Sequence, residues 1–262
     1  VEYSSEKGER VLIGIVSALK EEINSLRNEL AVSKVERIGN REYYLGTLYG
    51  KEVVMVWSNV GKVSAATTIT ILIEHFQVEL VVFTGVAGGA DNSVKIGDVI
   101  VADGLIQHDF DISTLSNLPK YDNTLLGKSL FDVKKSNVDL LKATIQHYLE
   151  QDFKSDICDS IRETYQLHNP QVITGVIASG DQFIADKSKI EELNQGIRNL
   201  KCVDMESAAA AQICYEYGKD FIVFRIISDN ADKSADINFD RFLNDVATIY
   251  SRGILKQLLN RL

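Results

Sequence analysis

Proline is almost missing from this chain: Pro119 and Pro170 are the two in 262 residues, and no serine-rich stretch stands in for a linker. Nothing in the composition divides the chain, so it reads as one α/β domain over residues 1–262. Cysteine is as sparse. Cys158, Cys202 and Cys214 form no CxxC pair, and two of them stand in apolar segments, which suits buried reduced thiols rather than a disulfide framework. A reducing, cytoplasmic setting is expected, although the first residue is Val1, which leaves an export signal open. The four histidines, His75, His108, His147 and His168, lack ligand spacing and have no cysteine beside them, so no metal and no other cofactor is expected. No apolar run reaches the ~18 residues of a membrane span. Positive charge is short too: 28 Lys and Arg against 37 Asp and Glu leave a formal net charge of −9. The basic residues are scattered, which argues against nucleic acid and acidic membrane surfaces as partners.

What is present is a series of apolar runs alternating with amphipathic ones. Val11–Val16, Leu80–Phe83, Gly97–His108, Val172–Ala178 and Phe221–Asp229 read as buried strands. Residues 34–58 read as antiparallel strands with turns at Ile38–Arg41 and Tyr49–Glu52. Helices are expected at Leu19–Leu30, Lys62–Phe76, Val138–Leu149 (capped by Ser136 or Asn137), Asp186–Leu193, from about Ser207 to near Gly218, and over residues 240–260. Residues 110–130 read as a long surface excursion, and residues 150–170 give no clear pattern. The alternation describes a three-layer α/β/α sandwich around a mixed, largely parallel sheet. In such sheets ligands bind beyond the carboxyl ends of the strands.

Four of those strand ends carry distinctive chemistry. On the first helix, Glu22 shares a stripe with Leu19, Ile23, Leu26 and Leu30, which makes it the one acid there expected to face inward. The run Cys202–Ala211 delivers Asp204 and Glu206 to the start of an alanine-rich helix, and the next apolar run delivers Asp229. Ionised carboxylates in apolar surroundings are costly unless paired or shifted in pKa. Asp204 has a structural reading as a helix cap, and Asp229 as a turn cap with Asn230. The glycine turn at 85–89 does not lead into a helix and lacks a lysine-serine ending, so it reads as a site of close approach for a flat ligand rather than a phosphate loop. Ser179 lacks the nucleophile-elbow pattern. Three acids and an aromatic plate suit cleavage of a glycosidic C–N bond, in which a departing purine needs a proton, water needs a base and an oxocarbenium-like sugar needs nearby negative charge.

These motifs resemble the 5'-methylthioadenosine/S-adenosylhomocysteine nucleosidases of the nucleoside phosphorylase superfamily. The matching segments are Gly14–Glu22, Gly61–Val63, Thr84–Gly89, Gly97–Val99, Ser179–Ile184, Val203–Glu206 and Ile227–Asp232. The resemblance implies a nucleoside phosphorylase-type fold and hydrolysis of both nucleosides to adenine and a thioribose product, in methionine salvage and methyl-cycle recycling. It implies Glu22 as the base for water and Asp229 as the acid at adenine N7. It further implies ribose contacts from Glu206 and the Met205 backbone, stacking by Phe183, adenine-edge reading by the Ile184 backbone, support from Ser228 and Arg225, and a sugar-side wall from Val86, Ala87 and Gly88. A homodimer is implied, the neighbouring subunit closing the 5'-substituent pocket, with Phe239 of the segment Asn238–Asp240 and residues of 105–120 meeting that substituent. Leu19, Val86 and Asp204 stand where many relatives carry methionine, serine and glutamate. The rival readings are a phosphate-dependent purine nucleoside phosphorylase and a nucleoside-binding or surface-interaction protein without turnover.

Overall fold

The computed structural model describes residues 11–114, 119–122, 126–231 and 239–262. Asp232 and Asn238, which belong to motifs above, and parts of the 110–130 excursion lie outside the described residues.

Branched apolar residues that are buried on both faces build the middle of the sheet. Strand β1 (Ile13–Ser17) lies parallel to β4 (Lys51–Trp57) on one side and to β5 (Leu80–Phe83) on the other, and every residue of β1 and β5 is buried. Beyond β4 come β3 (Arg41–Leu48) and β2 (Ala31–Ile38), joined by the expected tight turns. The turn between β3 and β4 carries positive φ at both Tyr49 and Gly50, the backbone twist that suits a two-residue hairpin. β2 closes that side with mostly exposed residues.

The other half curls. β11 (Asp220–Asp229) pairs in parallel with β5 through its first half and with β6 (Val86–Gly89) through its second, while its middle pairs antiparallel with β7 (Val99–Gln107). β6 pairs with β10 (Leu200–Asp204), β10 with β9 (Val172–Ser179), and β9 with β7. These pairings return to β11, so five strands close into a small barrel, with β8 (Phe131–Asp132) hung on β7. Closure was not visible in the alternation pattern, because it depends on one ten-residue strand being shared by both halves. It also recasts the glycine turn: residues 86–89 are a strand, held between β10 and β11.

Helices cover the sheet in two groups. α2 (Lys62–Glu74) packs on α7 (Ser207–Glu216), and α3 (Lys135–Gln151) packs on α9 (Thr248–Leu259). Between β8 and α3 no side chain caps the helix: Lys134 is the capping position, and Ser136 and Asn137 fall inside the first turn. The first helix is shorter than its apolar stripe predicts. α1 covers Asn24–Glu29 only, because the Glu22 carboxylate accepts the Leu19 amide at 2.8 Å and folds residues 18–23 into a turn. Short helices α4 (Phe153–Asp156) and α5 (Asp159–Thr164) fill the unread 150–170 segment, and α6 (Lys187–Gly196) starts from Asp186, whose side chain accepts the Ser188 amide. The terminal helix is broken into α8 (Phe239–Phe242), a π turn at Leu243–Ala247, and α9. Among the described residues no helix is long and apolar enough to cross a membrane.

Candidate active site

A cleft of about 340 Å³ opens where β1, β6, β9, β10 and β11 end. Glu22, Val86–Gly88, Phe183, Ile184, Met205, Glu206, Ser228, Asp229 and Phe239 all border it. Arg225, alone of the residues proposed from the sequence, does not reach the cleft and lies behind its wall, 1% exposed. No described residue of 105–120 borders the cleft. Ala18, Leu19, Val60, Gln182, Val203, Asp204 and Asp240 line it without having been singled out as lining; only their place in or beside matched motifs could have pointed to them.

Glu22 is buried through the turn rather than through a helix face. Its Oε2 accepts the Leu19 amide and its Oε1 accepts the Val86 amide at 2.9 Å, so the contact made by residue 86 is a backbone one that survives the change of side chain to valine. Burial pushes the Glu22 carboxyl above its ordinary range, against the pull of the Arg225 guanidinium and the two amides. Two glycines allow the acids to come this close. A Cβ on Gly85 would lie 2.5 Å from Glu22 Oε1 and 2.6 Å from Arg225 Nη1, and one on Gly88 would lie 3.0 Å from Asp229 Oδ1. What approaches the bare backbone here is carboxylate and guanidinium, as well as whatever fills the cleft.

Asp204 and Glu206 leave β10 two residues apart. Asp204 accepts Arg225 Nε at 2.7 Å, the Ser179 hydroxyl at 2.5 Å, the Ser207 hydroxyl, and the amides of Glu206 and Ser207 at the start of α7. The capping position of α7 is Glu206, so Asp204 secures the helix start from two residues earlier rather than as the cap that its position suggested. Burial alone would raise this carboxyl, but Arg225 and the two hydroxyls outweigh it and hold the group below its ordinary value. Glu206 has one amide partner, Gly61, at 2.9 Å, and Arg225 Nη2 stands 4.0 Å away. Burial first, and then the Asp204 charge, push the Glu206 carboxyl up to about 7. Arg225 lies over the Phe83 ring, 4.5 Å from its centroid, and its two terminal nitrogens are buried without a hydrogen-bond partner.

Asp229 ends β11. The Ser228 hydroxyl donates to its Oδ2 at 2.7 Å and the Ala231 amide to its Oδ1 at 2.7 Å, so the turn-capping arrangement and a place in the cleft lining coexist in one buried residue. Phe183 is 56% exposed and meets Phe239 edge-on, with ring centroids 6.3 Å apart. Among the described residues no group of three His, Cys, Asp or Glu side chains is placed to hold a metal ion.

A flat, mostly apolar cleft walled by acids at the strand ends of a mixed α/β/α sheet defines a nucleoside phosphorylase-type protein. The family model "Phosphorylase superfamily" matches residues 12–260. The chain belongs to this superfamily and, within it, to the family of 5'-methylthioadenosine/S-adenosylhomocysteine nucleosidases. It is 33% identical over 250 residues to the nucleosidase of that name from Bacillus cytotoxicus, covering 95% of this chain and 99% of the relative. A crystal structure of S-adenosylhomocysteine nucleosidase from Streptococcus pyogenes, in complex with 5-methylthiotubericidin, superposes with a TM-score of 0.84 at 32% identity, covering 98% of this chain and 99% of that one. The native futalosine hydrolase of Helicobacter pylori strain 26695 superposes with a TM-score of 0.81 at 31% identity, covering 97% and 99%.

Proposed function

We propose that the chain hydrolyses the N-glycosidic bond of 5'-methylthioadenosine and S-adenosylhomocysteine, releasing adenine and the thioribose product. The observation that carries this reading is the convergence of Glu22, Glu206 and Asp229 on one cleft that an aromatic ring also borders. Purine lies against Phe183 with its edge toward the Ile184 backbone. Glu206 and the Met205 backbone hold the ribose hydroxyls. Glu22 takes a proton from the attacking water, and Arg225 supports the acids from behind the wall through its pairing with Asp204. The C1'–N9 bond breaks first: its electrons move into the purine and Asp229 delivers a proton to N7. Negative charge from Glu22, still ionised at this point, stabilises the cationic sugar until the water oxygen bonds to C1' and its proton passes to Glu22. Leu19, Val60 and Phe239 give the cleft apolar lining suited to a thioether substituent.

Among the described residues that line the cleft none is Lys, Arg or His, which favours water over a phosphate dianion as the second substrate. The family match over residues 12–260 supports reading the chain as a single nucleosidase domain. Val60, Val63 and Phe183 are 48%, 78% and 56% exposed around the cleft and the start of α2, which supports a second copy of the chain covering this side as a homodimer and meeting the 5' substituent with its 105–120 segment. The test is adenine release from 5'-methylthioadenosine, S-adenosylhomocysteine, 5'-deoxyadenosine and futalosine, with and without phosphate, alongside light scattering for the dimer. Release independent of phosphate and fastest with the two thionucleosides is expected. Release only with phosphate makes the chain a phosphorylase; tight adenine binding without any release makes it a binding protein; preference for futalosine moves its substrate to that of the second structural relative.

A further inference from the structure

Phe183, the proposed bed for the purine, is more than half exposed and follows β9 on a segment with neither helix nor strand until α6, which raises the question of what fixes its position. Two residues before it, Asp181 is tied in both directions. Its amide donates to Asp109 Oδ2 at 2.9 Å, and its Oδ1 accepts the Lys62 amide at 2.8 Å. The ring is completed by Lys62 Nζ, which lies 2.5 Å from Asp109 Oδ1 with side chains 17% and 23% exposed, and which also donates to Gln107 Oε1 at 3.1 Å. The neighbouring amide at the start of α2, that of Gly61, is the one held by Glu206. Below the same segment the His108 imidazole fills the space where a Gly180 side chain would stand, and its backbone amide donates to Ser179 O at 2.9 Å. Consecutive amides of one helix start thus receive a carboxylate from the sugar side of the cleft and a carboxylate from the base side.

We propose that Asp181, closed into a ring with Lys62 and Asp109, is a positioning residue: it latches the Phe183 segment to the start of α2 and so sets the distance between the purine bed and the ribose-holding Glu206. This rests on the nucleosidase reading for its substrate, though not for the latch itself. The Lys62–Asp109 pair keeps some contact with solvent and ties a loop to a helix start outside the core, so the latch acts on position more than on folding. Because the ring touches no reacting atom, its loss weakens ground-state and transition-state binding alike, and KM rises while kcat is largely kept.

The experiment compares D181A, D181N and D109A with the wild type in three readouts: KM and kcat for 5'-methylthioadenosine, hydrogen exchange of residues 182–185, and thermal melting. D181A should raise KM about tenfold, the order expected for a lost hydrogen bond to a charged group, with kcat within about threefold, faster exchange in residues 182–185 and little change in melting. D181N should stay near wild type, because its amide oxygen still accepts the Lys62 amide. D109A should move the same readouts in the same direction, and it decides the question if D181A fails to fold. Unchanged exchange and KM in D181A, a kcat collapse at constant KM, or D181N as damaged as D181A would each overturn the latch. A wild type that releases no adenine from any nucleoside defeats the nucleosidase reading instead, and the exchange measurement still decides the latch.

Discussion

Asp204 and Glu206 leave the same strand two residues apart and face the same guanidinium, yet their surroundings differ in kind. Asp204 has every oxygen engaged, by Arg225 Nε, two hydroxyls and two amides, and is held ionised. Glu206 has a single amide and a distant guanidinium nitrogen, and its carboxyl is pushed up to about 7. Both acids line the cleft, and what separates them is compensation. Asp204 is satisfied by protein and serves as scaffold, whereas burial leaves Glu22 and Glu206 raised, with capacity remaining for a substrate.

The contrast breaks most severely at the acids proposed to move protons. Asp229→Asn and Glu22→Gln are each expected to lower kcat by about 10²–10⁴-fold, the usual contribution of a positioned acid or base, while circular dichroism and melting stay near wild type. Unchanged turnover in either variant would show these acids to be scaffold. In the wild type, kcat/KM should fall on the acid side at a pH above the ordinary glutamate range, because Glu22 must be ionised to take a proton and its carboxyl is raised. A rate flat through that region argues against Glu22 as the base.

The next effect belongs to the compensated acid. Asp204→Ala leaves the Arg225 charge buried without its main partner, at a cost of about 3–5 kcal/mol in urea unfolding. A loss under about 1 kcal/mol would mean that the pair is not the scaffold described here.

Glu206→Gln should act the other way on stability. A carboxyl raised in the folded state, from 4.5 to about 7, binds its proton more tightly folded than unfolded. The stability this brings is fully present below the unfolded value and is lost as pH rises through 7. The glutamine variant should therefore gain about 1–3 kcal/mol over wild type at pH 8 and little at pH 4, while ribose binding and turnover suffer. Equal urea midpoints at both pH values would contradict this. Smallest of all, Phe239→Ala should raise KM for 5'-methylthioadenosine several-fold, by about 1–2 kcal/mol of lost apolar contact, with less effect on adenosine. An equal change for both would place Phe239 away from the 5' substituent.

Much of this could be read in the chain. The strands β1, β5, β9 and β11 announce themselves as uninterrupted apolar runs, and an acid at the end of such a run has few places to go except a shared end of the sheet. Glu22 was legible as buried and illegible as to how: a helical stripe and a carboxylate-stapled turn place the same residue inward, and only the contact with the Leu19 amide separates them. The unread residues are those whose partners are distant in sequence. Nothing in Arg225 itself says that Asp204, 21 positions earlier, takes its charge. Nor does anything in Lys62 name Asp109, 47 positions later.

Local pattern thus determined the elements, the order in which they follow and the chemical types delivered to each strand end, since burial and periodicity are properties of neighbouring residues. Tertiary structure alone decided that β11 would be shared between an open sheet and a small barrel, and which carboxylate would be neutralised by protein. Those outcomes depend on distances across the fold: burial and the Asp204 charge raise Glu206, while Arg225 at 2.7 Å and two hydroxyls outweigh the same burial at Asp204.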